Sequence, residues 1–252
     1  MRQKGLCVLA LILIMPITVF ATDSLITKEA IVVESFDGEG VTNNGATNNP
    51  VIWKAIGSKF TTKGYPKAAY ANAFPEDLFG KNPENATDLN SFAVLGSFTR
   101  KGYNYVEIVP GEGSGEDWVA QPLMLPGKVE FFDLWVWGSN FNYTLEAHVV
   151  DYEGIVHVID MGSIKHIGWK HLYVKIPNAI KQSKQYLPFF EGIKLTKLVV
   201  RTDPEERVDL FYVYLDQLKV LTDTHIFNFD GENLTNKDKI EEIWGGSNDV
   251  QE

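Results

Sequence analysis

Apolar and polar residues alternate with a period of two in several segments of this chain, which is the spacing of half-buried strands. Tyr143, Leu145, Ala147 and Val149 fall on one face, with Thr144, Glu146 and His148 on the other. Leu172, Val174 and Ile176 oppose His171, Tyr173 and Lys175 in the same way. Runs rich in Val, Ile, Tyr, Phe and Trp predict strands at 31–36, 92–98, 103–109, 118–123, 129–137, 143–150, 155–161, 169–176, 195–201 and 208–220. Two of these break the alternation. Trp135 and Trp137 share a face while Phe132, Leu134 and Val136 fill the other, and Leu210, Tyr212 and Tyr214 oppose Phe211, Val213 and Leu215. A strand apolar on both faces is covered on both. One face belongs to the core. The other requires a second layer, the chain's own tail or a partner molecule.

Turn signals separate the strands. Gly138-Ser-Asn140 joins the Trp-rich strand to the next, and Asp151-Tyr-Glu-Gly154 reads as a hairpin loop. Residues 37–50, 74–90 and 110–117 carry Gly, Pro and Asn and read as long loops. Helical spacing is scarce, with short candidates at 178–185 and 237–244. Many short strands with turns between them predict an all-β, antiparallel sandwich or jelly roll.

The ends set the boundaries. Arg2 and Lys4, the apolar run 6–14, Pro16 and Val19-Phe-Ala21 have the form of an export signal cleaved after Ala21. The rival reading is a membrane anchor, since 5–22 is free of charge. We expect a signal peptide at 1–21, one sandwich domain at 22–223, and an acidic tail at 224–252 that wraps the sandwich or is mobile. Cleavage would remove Cys7, the single cysteine, leaving no disulfide. It would also take the net charge from −10 to −12, with 21 basic residues against 33 acidic ones. An acidic chain does not offer the basic footprint that nucleic acid requires.

Catalytic patterns are missing. Ser114 has Glu112 and Glu116 where a nucleophile elbow needs glycines, and no phosphate-cradling glycine loop is present. A glycosidase needs two carboxylates in one cleft. Glu130 and Asp133 are three apart and fall on opposite faces of a strand. His148 and His157 lie on strands joined by a hairpin, but two imidazoles without a further ligand hold zinc poorly. Asp37, Glu39, Asp230 and Glu232 supply hard oxygens in glycine-containing loops and are candidate calcium ligands. No cofactor is expected.

Several segments together resemble the outer-layer (sheath) proteins of spirochaete periplasmic flagella. They are Val94-Leu-Gly96 with Phe98, Arg100-Lys-Gly-Tyr-Asn-Tyr105, and Asp133-Leu-Trp-Val-Trp-Gly-Ser-Asn-Phe-Asn-Tyr143. Gly162-Ser, Gly168-Trp-Lys170, Ile176-Pro177, Tyr186-Leu-Pro188, Phe211-Tyr-Val-Tyr-Leu-Asp-Gln217 and Leu221-Thr-Asp223 continue the match. The resemblance implies a non-enzymatic coat protein, exported to the periplasm. Its partners would be the flagellin core of the filament and neighbouring sheath proteins, and it would tune filament stiffness and curvature. Candidate partner contacts are Trp135, Trp137, Asn140, Tyr143, Tyr212 and Tyr214. Gly168-Trp-Lys170 and Tyr214-Leu-Asp216 also resemble galactose-binding-like carbohydrate modules, which makes a secreted or periplasmic carbohydrate-binding module the rival function.

Overall fold

A computed structural model describes residues 28–38, 51–182, 192–224 and 237–245, together with Leu234. Its thirteen strands are β1 (Lys28–Glu34), β2 (Ile52–Gly57), β3 (Lys67–Ala71), β4 (Ser91–Gly96), β5 (Tyr105–Glu112), β6 (Val119–Ala120), β7 (Leu123–Met124), β8 (Lys128–Ser139), β9 (Tyr143–Val150), β10 (Val156–Ser163), β11 (Ile167–Lys175), β12 (Lys194–Thr202) and β13 (Phe211–Asp223). They form two antiparallel sheets. The first runs β11-β8-β13-β4-β3, with β1 also on β13; the second runs β10-β9-β12-β5-β2, with β6 on β5 and β7 on β12. The chain is therefore an all-β sandwich.

The alternation explains how the layers close. Phe132, Leu134 and Val136 of β8 and Phe211, Val213 and Leu215 of β13 point inward from the first sheet. Tyr143, Leu145, Ala147 and Val149 of β9 and Leu198 and Val200 of β12 meet them from the second. All belong to one continuous apolar core. Gly138-Ser-Asn140 does not close a hairpin. It carries the chain from β8 in the first sheet to β9 in the second, and Asn140 takes the left-handed conformation at φ 62° to make the corner. The Asp151–Gly154 turn does close one, and β9 pairs with β10 across it.

Three expectations change. β2 and β3 go unpredicted: Lys54 and Gly57 interrupt one, and the alanines of the other carry little strand preference. Residues 178–182 form a turn rather than a helix, with the Ile180 amide donating to the Pro177 carbonyl at 3.0 Å, and 183–185 fall outside the described residues. The 118–123 candidate splits into the two-residue strands β6 and β7. Helix α1 (Glu76–Phe79) is a single turn within the 74–90 loop, and α2 (Lys237–Trp244) matches the second helical candidate. The proposed export signal lies outside the described residues. Among those described, no helix is long and apolar enough to cross a membrane.

Candidate functional site

The two outward faces of the sandwich are the surfaces on which side chains can act. On the first sheet the register aligns Trp169 of β11 with Trp137 of β8, Tyr214 of β13, Ala93 of β4 and Ala69 of β3 in one row. The adjoining row runs His171, Trp135, Asp216. Both tryptophans thus share one face, as their spacing requires, and the structure turns that face outward. Neither is fully exposed, because Trp135 stacks on His171 with centroids 5.0 Å apart and Trp137 meets Tyr214 edge-on at 5.3 Å. Beside the large rings the small alanines leave a hollow of about 310 Å³, lined by Trp137, Trp169, Tyr214, Ala71, Asn72 and Ala73. A second groove of about 370 Å³ lies along the same face between Phe131, Tyr173 and Leu221. His171 Nε2 lies 2.7 Å from Asp133 Oδ2 beside it. The rim is open: Tyr173 is 66% and Ile167 77% exposed.

Tyr212 and Asn140 lie at one end of this face. The Tyr212 amide donates to the Ser139 hydroxyl at 3.0 Å, and that hydroxyl donates to the Tyr212 carbonyl at 2.8 Å. Trp135, Trp137, Tyr212 and Tyr214 are therefore brought together on one surface, and Asn140 stands at the corner where the chain leaves that sheet. Tyr143 is not part of that surface. Its backbone parity turns it inward, where it is 1% exposed and packs against Phe141 and Phe211. Its hydroxyl donates to the Arg207 carbonyl at 2.9 Å, and burial pushes its pKa up. Tyr143 is thus placed in the core, away from the outward face that carries the other candidates. The first-sheet residues that sequence reasoning passed over are Trp169, His171 and Tyr173. Their alternation with Leu172 and Val174 places them outward, but only the β8–β11 register shows that they join the tryptophans.

The outward face of the second sheet is ionic. Arg201 holds Glu146 through two hydrogen bonds, 2.5 Å from Nε and 2.8 Å from Nη2, and His148 adds a third contact at 2.9 Å. The Arg201 hydrogen bonds lower the Glu146 pKa against the effect of burial. Lys197 pairs with Glu107 at 2.6 Å on the same face. His148 and His157 do not converge, because His148 pairs with Val158 and His157 with Val149, which sets them on opposite faces. His157 meets Asp151 at 2.7 Å instead.

No catalytic arrangement appears among these groups. Glu130 lines a polar groove with Lys28, Lys128 and Lys175, whereas Asp133 lies in the apolar one with His171. Among the described residues, no three His, Cys, Asp or Glu side chains are arranged to hold a metal. Of the calcium candidates Asp37 is described and accepts from the Asn90 amide at 3.2 Å, while Glu39, Asp230 and Glu232 lie outside the described residues.

Comparison with known proteins follows the same outline. The family model described as flagellar filament outer layer protein FlaA matches residues 38–230. A protein of Brachyspira hyodysenteriae, named a putative flagellar filament outer layer-like protein, is 26% identical over 162 residues, covering 63% of this chain and 68% of its own. Among solved structures, TmCBM61 in complex with β-1,4-galactotriose superposes with a TM-score of 0.36 at 16% identity, over 68% of this chain and 88% of that one. The family 11 carbohydrate-binding module of the Clostridium thermocellum cellulase Lic26A-Cel5E gives 0.39 at 10% identity, over 79% and 96%. These structural likenesses describe the sandwich and nothing further.

Proposed function

The chain belongs to the flagellar filament outer layer protein family, and we propose that it is a non-enzymatic coat subunit that wraps the flagellin core of periplasmic flagella. The family associates it with the flagellar filament and with a structural role. The finer reading places the chain in the periplasm after removal of residues 1–21, laid on core subunits and against neighbouring sheath proteins, where it tunes stiffness and curvature.

The observation that carries this reading is the outward face of the first sheet. Three aromatic rings in one row, with Trp135 alongside, give a broad and partly covered apolar surface. Such a surface on a soluble domain marks an interaction site, and Trp and Tyr are the residues that dominate binding energy at interfaces. Trp135, Trp137, Asn140, Tyr212 and Tyr214 are the proposed contacts. A coat subunit binds through repeating, non-closing contacts, so each can be individually weak.

The test is recovery of this chain on purified flagella by mass spectrometry, from parent cells and from cells lacking the core flagellin. Recovery that depends on the core flagellin is the expected outcome. A chain found free of filaments in parent cells would defeat the coat reading. The hollow at Trp137, Trp169 and Tyr214 supports the alternative, a carbohydrate-binding module, because stacked rings beside a pocket suit the apolar face of a sugar ring. Titration of the chain with soluble glycans, read by tryptophan fluorescence, separates the two: the coat reading expects no saturable change.

A further inference from the structure

Strand β13 changes neighbour along its length. It pairs with β1 as far as Glu34 opposite Leu218, and with β4 from Phe92 opposite Leu215. Asp216 and Gln217 fall in the gap between the two partners. Ser35 directly follows β1 and Ser91 begins β4, so both border the same gap. Six buried side-chain polar atoms lack a hydrogen-bond partner among the described residues, and four of them are here: both carboxylate oxygens of Asp216 and the hydroxyls of Ser35 and Ser91. Asp216 is 1% exposed, and the two serines are fully buried. Asp37 stands two residues beyond Ser35. It is pinned by Asn90, the neighbour of Ser91, whose amide donates to Asp37 Oδ1 at 3.2 Å and whose side-chain nitrogen donates to the Asp37 carbonyl at 2.7 Å.

We propose that Asp216 and Asp37 hold a calcium ion in this gap, with the Ser35 and Ser91 hydroxyls among its neutral oxygen ligands. A buried carboxylate without partners, such as Asp216, is unfavourable, and a second carboxylate nearby makes it more so. Burial first, and the Asp37 charge second, raise the Asp216 carboxyl to about 8. The Gln217 amide lies near enough to oppose this but outside hydrogen-bonding geometry, and Lys219 has a smaller effect. Among the described residues no side chain hydrogen-bonds to the Asp216 carboxylate. The donors are all oxygen, with no imidazole or thiolate, which selects a hard cation. Two carboxylates match a divalent charge. A site made of backbone turns and hydroxyls suits calcium, with its flexible coordination, better than magnesium.

The test uses the full chain, stripped with chelator and then titrated with calcium chloride by calorimetry and by thermal melting. The expected result is one site per chain and a rise in Tm of roughly 5 °C at calcium a hundredfold above Kd, with a smaller response to magnesium. Asp216→Asn keeps the shape and removes the charge, so it should lose the calcium response while melting no lower than the wild-type chain in chelator. Should that variant fail to fold, Asp37→Asn read by calorimetry serves the same purpose and should weaken binding at least tenfold. A wild-type chain that takes up no calcium at millimolar concentration, or an Asp216→Asn chain that binds as well as wild type, would overturn the site. The first outcome would assign the gap to a protonated Asp216 or to water.

Discussion

The two outward faces of the sandwich arise from the same alternation and finish differently. On the second sheet the outward positions are charges that answer one another: Arg201 with Glu146, His148 with Glu146, Lys197 with Glu107. On the first sheet they are rings that cover one another only in part, bordered by exposed Tyr173 and Ile167. A face whose charges are paired within the chain gains little from meeting another molecule, since those pairs must be disturbed or desolvated. A face of half-covered rings gains from every further ring edge it buries. In a coat subunit the second face is suited to solvent and the first to the filament or to a neighbour.

The largest effect should come from removing the rings. Trp137→Ala with Tyr214→Ala should lower retention on purified filaments roughly 30-fold or more, as loss of an aromatic hot spot does, while the far-ultraviolet circular dichroism keeps its β form. Arg201→Ala, on the other face, should leave retention within about twofold. Equal losses from both variants would remove the distinction between the faces.

Of similar size is a difference in pH response. Glu34 of β1 is buried, and its oxygens accept from the Phe36 amide at 2.9 Å and from Trp53 Nε1 at 3.0 Å. Burial outweighs both hydrogen bonds and raises its carboxyl from 4.5 to about 7. A carboxyl raised on folding holds its proton in the native state and releases it on unfolding. Its contribution is therefore full below the unfolded value and is lost as pH rises through the folded one. Glu146 on the second sheet is shifted downward, so its contribution is present above 4.5 and is lost as pH falls through its folded value. In chelator, urea unfolding should show stability falling between about pH 5 and about pH 8, by on the order of 3 kcal/mol from Glu34. Glu34→Gln should remove that share of the fall and leave the share that Asp216, also raised on folding, adds in chelator. A fall of the same size in the variant would show that Glu34 is not its source.

How much of this was legible in the residues varies with the range of the interaction. Strand parity is local, so which residues share a face in β8, β9, β11 and β13 could be read directly, but which face of β8 and β13 turns outward could not. Neighbour relations are not local. That Trp169 lies beside Trp137, that the Gly138-Ser-Asn140 corner changes sheets, and that His148 and His157 face apart all follow from pairing partners that no short window contains. Tyr143 shows the hazard. As the last residue of an aromatic motif it looked like part of the contact surface, yet it begins a new strand after the corner and its own alternation with Leu145 sends it inward. Asp216 was legible only as the end of an aromatic strand. Its isolation comes from the gap between β1 and β4, which are 57 residues apart from Glu34 to Ser91.

Tyr143 also offers a sharp control for the comparison. Tyr143→Phe removes the hydroxyl, leaves the ring in the core and deprives the Arg207 carbonyl of a partner. The expected cost is about 1–2 kcal/mol of stability in urea unfolding, with filament retention unchanged. Reduced retention in a well-folded Tyr143→Phe chain would return this residue to the contact surface.

The smallest effect should come from the ionic face itself. Arg201 spans Glu146 with two donors, but its side chain is 38% exposed, so water competes for the same hydrogen bonds. Glu146 is better covered, at 14%, and also meets His148. Removing Arg201 therefore leaves a half-buried carboxylate that keeps one partner, and the expected loss is under about 1 kcal/mol. Salt should shrink this difference between Arg201→Ala and wild type, because a part-exposed pair is screened. Salt should leave the retention loss of the Trp137/Tyr214 variant in place, since ring burial does not depend on screening. A loss for Arg201→Ala that is large and insensitive to salt would mean that the pair is covered in the assembled coat, and the second face would then be an interface as well.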